Sequence, residues 1–258
     1  MTDGVAGDDA LGRLAPGSPD WASRLNELRD LELSPRRAEL IRLSEAVRDA
    51  LHRLVQTSAP EDVIRQAADQ AEAVAALLAT HRSAAAYEGF AESANAGEPF
   101  AFFDRSPMLG RANPLAPPIE LAFDDGRILG TATFGAAYEG PPGCVHGGYI
   151  AAAFDEVLGS TQSLSGSPGM TGRLTVHYRS PTPLHTELRF EGTLDRVDGR
   201  KIHTSGRLWA GEVLCAEAEG LFISIDFSKF TELKARRDAL KDRDALKDGE
   251  ALKDGDER

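Results

Sequence analysis

Tyr138 is followed without interruption by Glu139, Gly140, Pro141, Pro142, Gly143, Cys144, Val145, His146, Gly147 and Gly148, and Asp155 stands nine residues after His146 in an apolar stretch. A turn-rich loop thus delivers a histidine and two glycines to the start of a helix that carries a carboxylate. N–H groups at a helix N-terminus have no intrahelical partner and lie at the positive end of the helix dipole, so they suit an oxygen that gains negative charge. A carboxylate on that helix suits the transfer of a proton or the handling of water. Glycine lets a ligand approach the backbone, although Gly147 and Gly148 would equally let the loop turn tightly into the helix. Asp155 lies among Tyr149, Ile150, Ala151, Ala152, Ala153, Phe154, Val157 and Leu158. Such a helix is expected to be buried nearly all round, and burial makes a carboxylate more basic; the plainer role for Asp155 is to satisfy a polar neighbour. Glu156, about 100° further round the helix, reads as a solvent or interface residue. Apart from Cys144, no histidine or cysteine lies near His146 at metal-ligand spacing, so no metal site is expected.

The elements that must position these residues follow from pattern. Residues 1–32 are rich in Asp, Gly and Pro and read as a disordered segment. Residues 33–98 form an extension with a helical hairpin. Ser34 and Pro35 resemble an N-cap and first helical position, and Leu40, Leu43, Val47, Leu51 and Leu54 then form one stripe. Ser58 and Glu61 have capping-box spacing, with Pro60 early in a second helix that carries Val63, Ala67, Val74, Leu77 and Leu78. The apolar faces of both helices are expected to pack on the following domain or on a second copy. Within 99–230, runs at 119–123 and 128–134 flank Asp124, Asp125 and Gly126, a hairpin signal. The apolar helix runs to about residue 164. Strand-like runs near 169–179, 186–197, 201–209 and 213–225 have short links and predict a four-stranded antiparallel meander. The tail, 231–258, repeats a six-residue unit that sets Leu240, Leu246 and Leu252 about 120° apart on a helix, so no stripe forms and the tail reads as solvated. The whole is an α+β pattern.

Composition narrows the function. The chain of 258 residues carries a net charge of −12, which argues against nucleic-acid binding. No run approaches the roughly 18 apolar residues of a membrane span, and the first residues resemble neither a signal nor a transit peptide, so a cytoplasmic protein is expected. Cys144 and Cys215 are too few for a disulfide framework. Between residues 171 and 210, Arg173, Arg179, Arg189, Arg196, Arg200, Lys201 and Arg207 outnumber Glu187, Glu191, Asp195 and Asp198. A polyanionic ligand could land there, although most of these residues are accounted for as the outward residues of half-exposed strands.

Two strands, a helix and four strands is the order of a hot-dog fold, in which a curved sheet wraps a helix. The segment from Glu139 to Gly148, Asp155, and the segment Thr171, Gly172, Arg173, Leu174, Thr175, Val176, His177, Tyr178, Arg179, Ser180, Pro181 together resemble the hot-dog acyl-CoA thioesterases of the phenylacetic-acid-type group, nearest to the mammalian thioesterase superfamily members four and five. The likeness extends to the segments around Asp195–Lys201 and Ala216–Phe222 and covers roughly residues 118–227. It covers neither the helical extension nor the tail.

That resemblance implies hydrolysis of an acyl-coenzyme A thioester without a cofactor, coenzyme A being part of the substrate. It makes Asp155 the general base or nucleophile, the Gly147 N–H the donor to the carbonyl oxygen beside Gly148, and Thr171 the hydroxyl that holds the water or the aspartate. Apart from the resemblance, Thr171 is an ordinary strand threonine. His146 either polarises the carbonyl or locks the loop by a hydrogen bond. Some relatives carry an asparagine where this chain has Gly140. Arg179, Arg200 and Lys201 match positions near the nucleotide. The family's site joins two subunits, and the spacing agrees: eight residues from Gly147 to Asp155 is about 12 Å of helix, too far for both to reach one carbonyl. A homodimer, or a pair of dimers, is therefore expected. Hydratase relatives carry a histidine five residues after the aspartate, where this chain has Ser160. A non-catalytic acyl-CoA-binding module is the alternative.

Overall fold

The computed structural model describes residues 33–81, 104–167 and 169–225. The segment 1–32, expected above to be disordered, and the tail 231–258, expected to be solvated, lie outside the described residues.

Among the described residues, β1 (Glu120–Asp124), β2 (Arg127–Thr133), β3 (Gly169–Tyr178), β4 (Glu187–Asp198), β5 (Lys201–Ala210) and β6 (Val213–Ser224) form one sheet in the order β1-β2-β4-β5-β6-β3, with every neighbouring pair antiparallel. Asp125 (φ 44°) and Gly126 (φ 75°) make the two-residue turn of the first hairpin, where Asp and Gly tolerate the left-handed region best. The meander is confined to β4, β5 and β6. Contrary to expectation, β3 pairs with β6 at the far edge, and β4 instead lies beside β2. The reason is in the link after β3: Pro181 and Pro183 have no N–H to donate, and the link bonds elsewhere. The Arg179 and Ser180 N–H groups donate to the Cys215 carbonyl, and the His185 N–H donates to the Phe134 carbonyl, so the chain crosses the end of the sheet.

Helix α3 (Gly147–Gln162), which follows α1 (Pro35–Leu54) and α2 (Glu61–Ala79) of the extension, packs on strands β2 to β6. Its contact with the sheet depends on small residues. Gly192 of β4 lies opposite Gly206 of β5. A β-carbon on Gly192 would fall on Thr161 Oγ1, and one on Gly206 would lie 3.0 Å from Leu158 Cδ2. Phe134, Phe154, Phe190 and Phe222 fill the space on either side, with Phe154 edge-on to Phe190 at 5.5 Å between ring centres. The helix is not buried all round: Ile150, Phe154, Val157, Leu158 and Thr161 face the sheet, whereas Gly148, Tyr149 and Asp155 are exposed. One chain provides one sheet, and one sheet covers one side of a helix.

The extension supplies α1 (Pro35–Leu54) and α2 (Glu61–Ala79). Ser34 caps α1 by accepting the Arg37 N–H at 3.3 Å, with Pro35 in the first turn. Its buried line is not the expected leucine stripe. Arg37, Ile41, Ser44, Arg48 and His52 face the domain, while Leu40 and Leu54 are exposed. Polar bonds account for the difference: Arg37 pairs with Asp104 at 2.7 Å, and the Arg48 guanidinium donates to the carbonyls of Ala116 (2.7 Å), Asn113 (2.9 Å) and Arg111 (3.3 Å). The expected capping box does not form. Thr57 Oγ1 accepts the Ala59 N–H, Pro60 is the N-cap, and α2 begins at Glu61. No side chain of α2 is buried, and Val63, Val74, Leu77 and Leu78 are exposed.

Gly192→Ala raises strand propensity yet must displace Thr161, so we expect a loss of about 1–3 kcal/mol in urea unfolding. The same substitution at Gly211, where a β-carbon meets nothing, acts through its positive φ alone.

Candidate functional site

The loop before α3 is held at almost every residue. The Gly140 N–H donates to the Cys144 carbonyl (2.9 Å), the Cys144 N–H to the Pro141 carbonyl (2.8 Å), and the His146 N–H to the Tyr138 carbonyl (2.9 Å). Glu139 accepts the Gly143 N–H at 2.7 Å, with Gly143 at φ 75°. The link after β3 adds a second tier: the Val145 N–H donates to the Thr182 carbonyl and the Leu184 N–H to the Gly143 carbonyl. At Gly140 a β-carbon would lie 2.7 Å from His146 Cα, so this loop conformation has no room for an asparagine there.

His146 is the N-cap of α3, and its Nδ1 accepts the Gly148 N–H at 3.0 Å. Of the two roles left open for this histidine, locking the loop is visible, and the same bond engages Gly148. An accepting Nδ1 leaves the proton of the neutral ring on Nε2. The Gly147 N–H has no partner among the described residues, while the Gly147 carbonyl accepts the Tyr178 O–H at 2.8 Å. Sequence reasoning assigned Tyr178 no contact; the tyrosine at the end of β3, just before a proline-rich link, was the available signal.

Two turns along, Asp155 Oδ1 accepts the Thr171 hydroxyl at 2.8 Å. A bulge makes this contact. Thr171 pairs with Phe222 and Arg173 with Leu221, which leaves Gly172 as the extra residue. From Leu174 onward alternate residues face the helix side, ending at Tyr178; without the extra residue, Thr171 would fall on the opposite face. Thr171 and Tyr178 therefore hold two points on the same exposed side of α3. Among the described residues β3 has no strand along its other edge.

The two acids have exchanged their expected environments. Asp155, expected to be buried, is exposed in the single chain, whereas Glu156, expected at the surface, is largely covered and accepts the Ser106 hydroxyl at 3.0 Å. Ser106 is itself buried and accepts the N–H groups of Met108 and Leu109. Burial pushes the Glu156 carboxyl up, the Ser106 bond opposes this, and the Asp155 charge adds to it.

The basic residues divide. Arg179 falls on the outer face of the sheet, bonded to Glu217 at 2.9 Å, and Arg207 lies 3.6 Å from the same carboxylate. Both line an outer groove of about 380 Å³ with Glu191 and Glu219, on the face away from α3. Arg200, in the turn from β4 to β5, donates to the Ser224 carbonyl through Nε (3.2 Å) and a terminal nitrogen (3.1 Å). Lys201 pairs with Ile223, which also pairs with Met170, so this turn lies at the Thr171 end of the sheet. The structure thus brings Asp155 and Thr171 together, joins Gly147, Gly148 and His146 in a second cluster, and sets Arg179 apart from both. No group of metal-binding side chains occurs among the described residues, and no described helix is long and apolar enough to cross a membrane.

An antiparallel sheet closed on one helix, with the glycine-rich loop at that helix's start, is the hot-dog architecture. The Thioesterase superfamily model matches residues 142–216. The crystal structure of a thioesterase superfamily protein is 34% identical, with a TM-score of 0.63, over 72% of this chain and 90% of that one, and the chain belongs to that superfamily. Acyl-coenzyme A thioesterase THEM4 of Xenopus laevis is 36% identical over 93 residues, 35% of this chain and 42% of the relative. The Bos taurus THEM4 is 33% identical over 108 residues, 41% and 44% of the two chains. The chain therefore spans less than half the length of these curated relatives.

The Glu156 environment has a pH signature. Its carboxyl holds a proton to higher pH folded than unfolded, so stability falls as pH rises through that interval. Glu156→Gln keeps an acceptor for Ser106 and removes the titration. In urea unfolding the variant should exceed the wild type in stability at neutral pH, and the gain should vanish below the ordinary carboxylate range.

Proposed function

We propose that the chain is an acyl-coenzyme A thioesterase whose site forms between two copies. The observation that carries this reading is the Asp155–Thr171 pair, which shares one exposed side of α3 with the Gly147 N–H, a donor without a partner among the described residues. On this reading Asp155 of one protomer, held by Thr171, takes a proton from water as the water oxygen bonds to the thioester carbon. The carbonyl oxygen gains charge at the Gly147 N–H of the other protomer, where a helix N-terminus favours it. The C–S bond then breaks, the acid is released, and the proton passes from Asp155 to the departing thiolate of coenzyme A. Direct attack by Asp155, giving an anhydride that water cleaves, uses the same groups. His146 holds the loop through the Gly148 N–H, and its Nε2–H is proposed as a second donor to the same carbonyl. The separation of about 12 Å along one helix supports two protomers, because a single α3 cannot bring both groups to one atom.

Arg200 and Lys201 are proposed to meet the phosphates of coenzyme A. Pairing of Arg179 with Glu217 on the outer face weakens its case for that task.

Hydrolysis of a panel of acyl-CoA esters tests the reading. Asp155→Asn should lower kcat by about 10²–10⁴-fold, and Thr171→Val by less. Absence of hydrolysis by the wild type would leave a binding module, and full activity of Asp155→Asn would remove Asp155 from the reaction. Double substitution of Arg200 and Lys201 by alanine should raise KM more than it lowers kcat.

The shared site has its own test. Gly147→Pro removes one N–H at the first helical position, after the extended backbone of His146 that suits a following proline, and its β-carbon, 3.2 Å from the Tyr178 oxygen, requires a small shift of that ring. Mixed and re-equilibrated with Asp155→Asn, it should recover about a quarter of wild-type activity, since half the dimers are mixed and each has one intact site. No recovery would place both groups in one protomer.

A further inference from the structure

The polar line of α1 ends at His52, and this residue touches the turn from which the site loop departs. Nδ1 of His52 accepts the Ala137 N–H at 3.0 Å. The ring lies edge-on to Tyr138 at 5.4 Å, and Tyr138 also meets Phe134 at 5.4 Å and Tyr149 of α3 at 5.0 Å. A β-carbon on Gly135 would lie 2.7 Å from the His52 ring, so glycine is needed there for the ring to enter. The Tyr138 carbonyl in turn accepts the His146 N–H, and Gly147 is the next residue. One short path therefore runs from α1 to the Gly147 N–H, through Ala137, Tyr138 and His146.

We infer that His52 is a positioning residue for this site: its neutral imidazole holds the turn at Ala136–Tyr138, and so fixes the loop that presents the Gly147 N–H.

An imidazolium has hydrogens on both nitrogens and cannot accept the Ala137 N–H, so protonation must break the bond. The surroundings oppose protonation. Burial pushes the His52 ring below the usual histidine range, Arg48 on α1 and His185 of the β3–β4 link act in the same direction, and Asp49 on α1 acts against them. From the turn, Tyr138 faces the ring as a neutral phenol, its own ionisation pushed up to about 12 by burial. The bond is therefore present at neutral pH and lost on acidification.

The tests use the full chain. Nitrogen-15 NMR at neutral pH should show His52 neutral with its proton on Nε2. Amide exchange should show protection at Ala137 and His146 falling about tenfold in His52→Ala, with Phe190 and Leu208 in the sheet unchanged. His52→Asn sets an amide oxygen near the Nδ1 position and does not titrate, so it should restore the protection. On acidification below the usual histidine range the wild type should lose protection at Ala137 while His52→Asn keeps it. A His52 proton on Nδ1, a charged ring at neutral pH, uniform loss of protection across the sheet, or unchanged exchange at His146 would each overturn the inference. The catalytic consequence rests on the proposed function: His52→Ala should lower kcat with little change in KM, and His52→Asn should recover it. If the wild type hydrolyses no acyl-CoA, that function fails, and the exchange results still decide the role of His52.

Discussion

The close seating of α3 on the glycines of β4 and β5 is the constraint from which the rest follows. With no side chain at Gly192 or Gly206, Val157, Leu158 and Thr161 interlock with the strands, and the helix has one depth and one rotation available. The loop residues at its start and the carboxylate two turns on then behave as marks on a rigid rod. Their separation is a property of backbone geometry, and loop motion cannot shorten it. Tyr178 and Thr171 fasten the same rod to β3 at both marks, so the edge strand and the helix present a single surface.

Much of this was legible in the chain. The hairpin at Asp125 and Gly126, the start of α3 after His146 and the association of Thr171 with Asp155 follow from turn chemistry, periodicity and a family likeness. What was hidden depended on quantities that spacing does not encode. Asp155 has apolar neighbours along the sequence, but a helix under one sheet has an open side, and Asp155 is on it while Glu156 turns toward Ser106. The facing of Thr171 depends on the extra residue Gly172, which shifts alternation by one and leaves no mark in composition. The neighbour of β3 was misjudged because a short link suggests a hairpin. Pro181 and Pro183 were the contrary signal, since each removes a donor that a tight return would need.

Electrostatics offers the same lesson on a smaller scale. Counted along the chain, residues 171–210 form a basic zone, but strand alternation sorts them onto faces. On the outer face Arg179 and Arg207 flank Glu217, and Arg189 lies 3.5 Å from Glu191. These pairs are partly solvated and add little to stability. Their effect is to cancel charge locally, so a linear count overstates the field.

The docking of α1 differs in kind from that of α3. Its closest contacts are a guanidinium on three carbonyls, an ion pair and an imidazole on an amide, with Ile41 the one fully buried apolar side chain. Heat capacity of unfolding scales with apolar area uncovered and is offset by polar area. Separation of α1 from the domain therefore carries a smaller heat-capacity change for its area than separation of an apolar helix would, and its equilibrium is less curved between cold and warm solution. The glycine-seated core follows the usual dome of stability against temperature. Within one chain, the brace and the body it steadies thus keep different thermal calendars.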